Sequence, residues 1–312
     1  MSFPTAPGAA QYSGNFIPEL WSAKLIENFY DATVLAAISN TDYEGEIKRM
    51  GDTVNIRTTP DLTIRPYQKG MTLTVERPDK PKLQLVIDQG EYFAAIEDDV
   101  DKVQADINLM DTWSKDASEK MKIRIDQNVL TGMLPDVASI NRGATAGRIS
   151  GNINLGATSA ALALTKDGAS ATKAVTEFIV DMGTVLDEAN CPEGGRFMVI
   201  PAWMAGLIKK SDLKDASLAG DTTSILRNGR LGMIDRFTLY VSHNLNSVVD
   251  GGNRCFNIVA GTKMGLTFAS QMTEMESLRA ESTFGNVVRG LQVYGYKVVK
   301  PEALAVGYVR QG

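Results

Sequence analysis

Apolar residues recur every three or four positions at Val100, Val103, Ile107, Met110, Trp113, Ala117, Met121, Ile125 and Val129. This spacing puts them on one face of a helix and predicts a single unbroken helix over 97–132, roughly 50 Å long at about 1.5 Å per residue. Gly132 and Pro135 end it. Glu97, Asp98, Asp99 and Asp101 crowd its predicted first turns, where the positive end of the helix dipole favours anions. A helix this long implies that something elongated is built on it.

Before it the period changes to two. Val54 and Ile56 alternate with Thr53, Asn55 and Arg57, and Met71, Leu73 and Val75 alternate with Thr72, Thr74 and Glu76, as strands do. Lys82–Asp88 and Tyr92–Ile96 continue as strand, and Pro60, Pro66, Gly70, Pro78 and Pro81 punctuate the stretch. Residues 51–96 therefore read as an extended hairpin. They hold too few large apolar residues for a core of their own, and an isolated hairpin is marginal in water, so the hairpin must lie against something else. Arg57, Arg65, Lys69, Arg77, Lys80 and Lys82 make it basic, which points to an acidic support, with Lys69 at the tip.

The flanking segments complete the order. Residues 1–15 are an aperiodic arm, followed after Pro18 by a short helical pattern through Trp21, Leu25 and Phe29. Residues 136–172 are rich in Gly, Ala, Ser, Thr and Asn and read as a long surface loop or ribbon at a domain boundary. An amphipathic helix over 173–189, a buried strand over 196–200 and a helix over 202–210 form a compact α/β unit, to which strands at 237–242 and 256–260 add. The tail over 287–309 is strand-rich. The organisation expected is an arm and short helix (1–50), the hairpin (51–96), a domain carrying the long helix and following loop (97–172), a second domain (173–285) and returning strands (286–312).

Composition narrows the chemistry. The chain has 312 residues, 44% of them hydrophobic, enough to fold without a metal or disulfide staple. Its formal net charge of −5 argues against a protein whose task is to grip a nucleic-acid backbone. Cys191 and Cys255 fit no metal or redox spacing and read as reduced, half-buried thiols. His243 is the single histidine and lies in no nucleophile-elbow setting, so a surface or hydrogen-bonded role is favoured over catalysis. No phosphate-binding glycine loop occurs. The acidic run at 97–101 is explained by its place at a helix start without a cation. No catalytic, cofactor or metal residues are assigned, and no cofactor is expected. No apolar run is long enough to cross a bilayer.

Three stretches of the second half, NGRLGMIDRFTLYVSHNL, AGTKMGLTFASQMTEMESLR and FGNVVRGLQVYGYKVVKPEALAV, together resemble the consecutive signatures of major capsid proteins of tailed double-stranded DNA bacteriophages. Arg236 stands where such sequences often have Gly, and Thr262 precedes Lys263 where His is common. The resemblance implies an α+β HK97-type fold with a spine helix, an extended hairpin loop, a peripheral domain and an axial α/β domain. It implies a non-enzymatic subunit that self-assembles through pentamers and hexamers into an icosahedral shell around double-stranded DNA. The implied location is the virion capsid, assembled in the host cytoplasm. Implied partners are a portal, a separate scaffolding protein and a decoration protein. The hairpin would clasp the peripheral domain of an adjacent subunit, with Arg57, Arg65, Lys69 and Arg77 meeting Glu97, Asp98, Asp99 and Asp101 of the neighbour. Some relatives join this loop covalently through a lysine; Lys69 holds that position, and plain salt bridges are the expectation. An encapsulin-type compartment is the near alternative, and a soluble α/β enzyme using Asp or Glu in a cleft is the alternative of a different class.

Overall fold

The computed structural model describes residues 33–42, 53–57, 62–76, 82–98, 109–169, 171–211, 232–271, 275–280 and 285–312. In chain order the elements are α1 (Leu35–Ile38), β1 (Thr53–Arg57), β2 (Lys82–Val86), β3 (Gln89–Asp98), α2 (Leu109–Gly132), β4 (Leu162–Thr165), β5 (Lys173–Ala174), α3 (Val175–Glu188), β6 (Arg196–Ile200) and α4 (Ala202–Lys210). After these come β7 (Met233–Ile234), β8 (Phe237–Val241), β9 (Ser247–Asp250), β10 (Asn253–Thr262), β11 (Leu266–Gln271), β12 (Met275–Arg279), β13 (Gly285–Val298) and β14 (Leu304–Gln311).

Two sheets carry the fold. An eight-stranded mixed sheet runs β5-β4-β14-β10-β6-β8-β7, with β9 paired to β10. The helix α3 lays Phe178, Ile179, Met182, Val185 and Leu186 on it, all fully buried among Met198, Ile258 and Val309. The second sheet is four antiparallel strands, β11-β13-β12 with β3 added along β13. Ten consecutive residue pairs join β3 and β13, from Gln89↔Tyr294 to Asp98↔Gly285. Ile125, Val129 and Leu130 of α2, with Met133 just after it, form a shared core with Phe268, Tyr294 and Val298 of this sheet and Phe197, Val199, Val259 and Val306 of the larger one.

Several expectations change. The helix does not begin at Glu97, because Glu97 and Asp98 are the last residues of β3. The long ladder with β13 holds them in strand, since ten paired positions outweigh a weak local preference for helix. Val100, Val103 and Ile107 lie outside the described residues. On α2 the buried side chains among those described lie in the C-terminal half; Trp113, expected in the core, is 41% exposed. The small-residue stretch after the helix is not merely a surface loop. Leu155 and Leu164 are fully buried in the larger sheet's core, and Gly156 packs against the backbone of Tyr308 too tightly for a side chain. Met71–Glu76 is extended but pairs in no ladder. The short helix expected after Pro18 lies outside the described residues. Cys191 and Cys255 are both free and buried.

Candidate intersubunit site: the projecting hairpin

The base of the hairpin belongs to its own subunit. β1 and β2 pair antiparallel from Thr53↔Val86 to Arg57↔Lys82, and their alternation turns Val54, Ile56, Leu85 and Ile87 to one side. These four are buried against Ala269 and Val293 of the four-stranded sheet. Gly295 of β13 permits the approach, because any Cβ there would strike the Val86 carbonyl.

Beyond the base none of the described residues covers the hairpin: residues 62–76 are all exposed. The turn closes through the Met71 N–H donating to the Gln68 carbonyl at 3.2 Å, with Gly70 at φ +88°, a conformation glycine adopts without strain. Counting back from this turn sets Ile64 opposite Val75 and Thr63 opposite Glu76. The Glu76 side-chain carboxylate ties the two legs together, accepting from the Thr63 N–H at 3.4 Å and pairing with Arg65. One face of the arm is therefore Leu62, Ile64, Pro66, Leu73 and Val75, and the other is Thr63, Arg65, Tyr67, Thr72, Thr74 and Glu76. Ile64 is 95% and Val75 88% exposed. Among the described residues nothing covers this apolar face, and exposed apolar patches of this kind commonly mark interaction sites.

The residues singled out for charge behave differently. Arg65 spends its guanidinium on Glu76 of the same hairpin, which leaves it less to offer a neighbour. Lys69 sits exposed at the tip. Arg57 ends β1 opposite Lys82. Glu97 and Asp98 pair in the β3 ladder opposite Asn286 and Gly285 rather than at a helix start. Arg77, Asp99 and Asp101 lie outside the described residues. Within the subunit Arg65 thus meets Glu76, while the expected pairing with a neighbour's acidic residues is a contact between subunits. The alternation at 71–75 signals a strand but not an uncovered face, because sequence does not show that the described residues leave it exposed.

A second exposed apolar surface lies on the four-stranded sheet. Asn128 of α2 donates to Glu91 at 2.7 Å and to the Tyr294 hydroxyl at 3.1 Å, so Glu91 and Tyr294 face the helix. By alternation Tyr92, Ile96 and Leu291 face the other way. Tyr92 lies directly across from Leu291, and Ile96, Val287 and Leu278 form one row over three strands. Tyr92 is 78% exposed, and Ile96, Leu291 and Leu278 are also exposed.

In the larger sheet the turn from β7 to β8 holds Asp235 and Arg236 both at positive φ. Two such residues in a two-residue hairpin match the twist of the strands, and glycine is the usual choice. Arg236 is kept there by ion pairs to Asp187 at 2.8 Å and Glu193 at 3.3 Å. Asp187 also pairs with the fully buried Arg196 at 2.7 Å. Burial raises the Asp187 carboxyl, but its bonds to Arg196 and Arg236 more than offset this and hold it below the ordinary value. Among the described residues no group of three His, Cys, Asp or Glu is placed to hold a metal ion. No helix among them is long and apolar enough to cross a membrane.

A family model described as phage capsid protein matches residues 84–307. Among solved structures, one from Mycobacterium phage Che8 is 26% identical, covers 94% of this chain and 97% of its own, and superposes with a TM-score of 0.73. The capsid of cyanophage P-SCSP1u, at 15% identity, covers 95% of this chain and 94% of its own with a TM-score of 0.64. One from Gordonia phage Cozz, at 13% identity, covers 99% and 97% with a TM-score of 0.62. No curated protein matches the chain. With an α+β fold shared over nearly its whole length and a family match over most of it, the chain belongs to the phage capsid protein family, as a structural major capsid protein of a tailed phage that forms the virion shell.

Proposed function

We propose that the hairpin is the clasp of the shell and that its apolar face, not its charges, carries the binding. The observation behind this reading is the unsupported ribbon itself: Leu62, Ile64, Leu73 and Val75 are exposed on an arm whose base is firmly packed. Its partner is the outer face of the four-stranded sheet of a neighbouring copy, around Tyr92, Ile96, Leu278 and Leu291. Both surfaces are rows of apolar side chains on extended backbone, which interdigitate well. Lys69 and Arg57 then set orientation more than affinity. In this reading the four-stranded sheet with α2 is the peripheral domain, and the larger sheet is the axial domain that meets its copies around fivefold and sixfold axes.

The finer biology follows from the family. The shell encloses double-stranded DNA and does no chemistry. A net charge of −5 suits a lining that neither grips nor selects sequence. Assembly takes place in the host cytoplasm with a portal and a separate scaffolding protein, and a decoration protein can follow. The clasp is tested by pairing Ile64→Cys or Leu73→Cys with Tyr92→Cys or Leu291→Cys; both native thiols are buried and out of reach. Oxidised shells should yield covalent chains of subunits on a denaturing gel, and unassembled protein only monomer. Disulfides formed within single unassembled chains, or none in shells for any pairing, would overturn the reading.

A further inference from the structure

Among the described residues of α2, one charged side chain is buried. Asp126 is 1% exposed, and three donors from distant parts of the chain converge on it. Its Oδ1 accepts from the backbone N–H of Val34 at 3.2 Å and of Leu35 at 3.0 Å. Its Oδ2 accepts from the Asn244 side-chain amide at 2.8 Å. The first two belong to the start of α1, and Asn244 follows β8 in the larger sheet's domain. Asp126 therefore joins the N-terminal segment, the long helix and the second domain at one point.

The chemistry at this point requires a carboxylate. Asn244 is oriented, because its Oδ1 accepts from Gln127 at 3.4 Å, so its NH₂ must face Asp126. All three groups presented to residue 126 are donors, and only an acceptor on both oxygens satisfies them. With Asn244 held in this orientation by Gln127, an asparagine at 126 would set its own NH₂ against a donor whichever way it turned. Burial opposes the charge and pushes the Asp126 carboxyl above its ordinary range, partly countered by the bonds from Asn244, Val34 and Leu35. A buried carboxylate kept at such a cost, and wholly spent on aligning three segments, has a specific geometric task.

The segment it aligns is short and deep. Val34, Leu35 and Ile38 are buried between α2 and the four-stranded sheet. Asn40 then bridges to Thr267, its N–H donating to the Leu266 carbonyl at 2.8 Å and its carbonyl accepting from Phe268 at 2.9 Å. The α1 turn has no side-chain cap of its own at Val34; Asp126 supplies that cap from 91 and 92 residues away.

We propose that Asp126 is the positioning residue of the segment 34–40: it fixes where this segment lies between α2 and the four-stranded sheet, a placement that the assembling subunit requires. This rests on the shell reading. The test is hydrogen exchange on full-length Asp126→Asn and Asn244→Ala proteins, followed over residues 33–40 and, as an internal control, over β14, together with particle yield. Asp126→Asn should speed exchange in 33–40 by about tenfold or more, leave β14 protected, and lower particle yield. Asn244→Ala keeps both backbone bonds and should leave 33–40 near the wild-type rate. The proposal is overturned if 33–40 exchanges at the wild-type rate in Asp126→Asn, or if it loosens while particles form in normal yield. Loss of protection in β14 also overturns it, since Asp126 would then be a general core group. Failure of the shell reading itself would appear separately, as wild-type protein that forms no particles.

Discussion

Truncating the hairpin's apolar face should disable assembly without touching the subunit. In Ile64→Ala with Val75→Ala the lost side chains are 95% and 88% exposed in the single chain, so folding stability should change by no more than about 0.5 kcal/mol. Together the two changes remove five carbons from the face that docks. At about 0.8 kcal/mol per buried methylene the full loss is about 4 kcal/mol per hairpin, and about 2 kcal/mol if the docked side chains are half-buried. Each subunit contributes one hairpin. At about 1.4 kcal/mol per tenfold, the protein concentration needed for assembly should rise roughly 30-fold to 1,000-fold. Light scattering against concentration measures that threshold, and thermal unfolding of dilute protein measures subunit stability. A wild-type threshold would refute the reasoning, and so would a double variant whose unfolding midpoint drops along with its assembly.

Three further outcomes follow from particular contacts. Gly295→Ala forces a Cβ against the Val86 carbonyl, so it should cost about 1–3 kcal/mol in unfolding and tilt the hairpin base enough to lower particle yield. Lys69→Glu, at a solvated tip, should raise the assembly threshold only about two- to threefold at physiological salt, and more at low salt. Arg236→Gly relieves a left-handed backbone but removes a partner of Asp187. Because the folded Asp187 carboxyl lies below its ordinary value, its stabilisation is present above the unfolded value near pH 4 and is lost as pH falls through the folded one. The variant should therefore unfold at a higher pH on acid titration than the wild type, and an unchanged acid transition would show that Arg236 does not hold that carboxylate.

The second half of the chain was legible because its elements have strong local signals. The expected strand over 196–200 and helix over 202–210 coincide with β6 and α4, and the helix over 173–189 with α3. Their period, Pro201 and the terminating Gly194 and Gly195 agree with one another. The long helix was misread at its start because Glu97 and Asp98 look like helix-dipole residues, while a ladder to residues almost 190 positions later decides their state. The candidate site was half legible. The sequence shows a hairpin without a core and with many cations, and only the structure shows Arg65 tied to Glu76 and the apolar row exposed. Asp126 gave no signal: it looks like one more charge on an amphipathic helix, and its partners are about 90 and 118 residues away.

Sedimentation of the purified chain with and without residues 61–80 decides whether the hairpin holds subunits of this shell together. The full chain should sediment as closed particles of megadaltons, and the deleted chain as a folded monomer with an intact β1–β2 base and no particles at any concentration the full chain needs. Closed particles of normal size from the deleted chain would contradict the account.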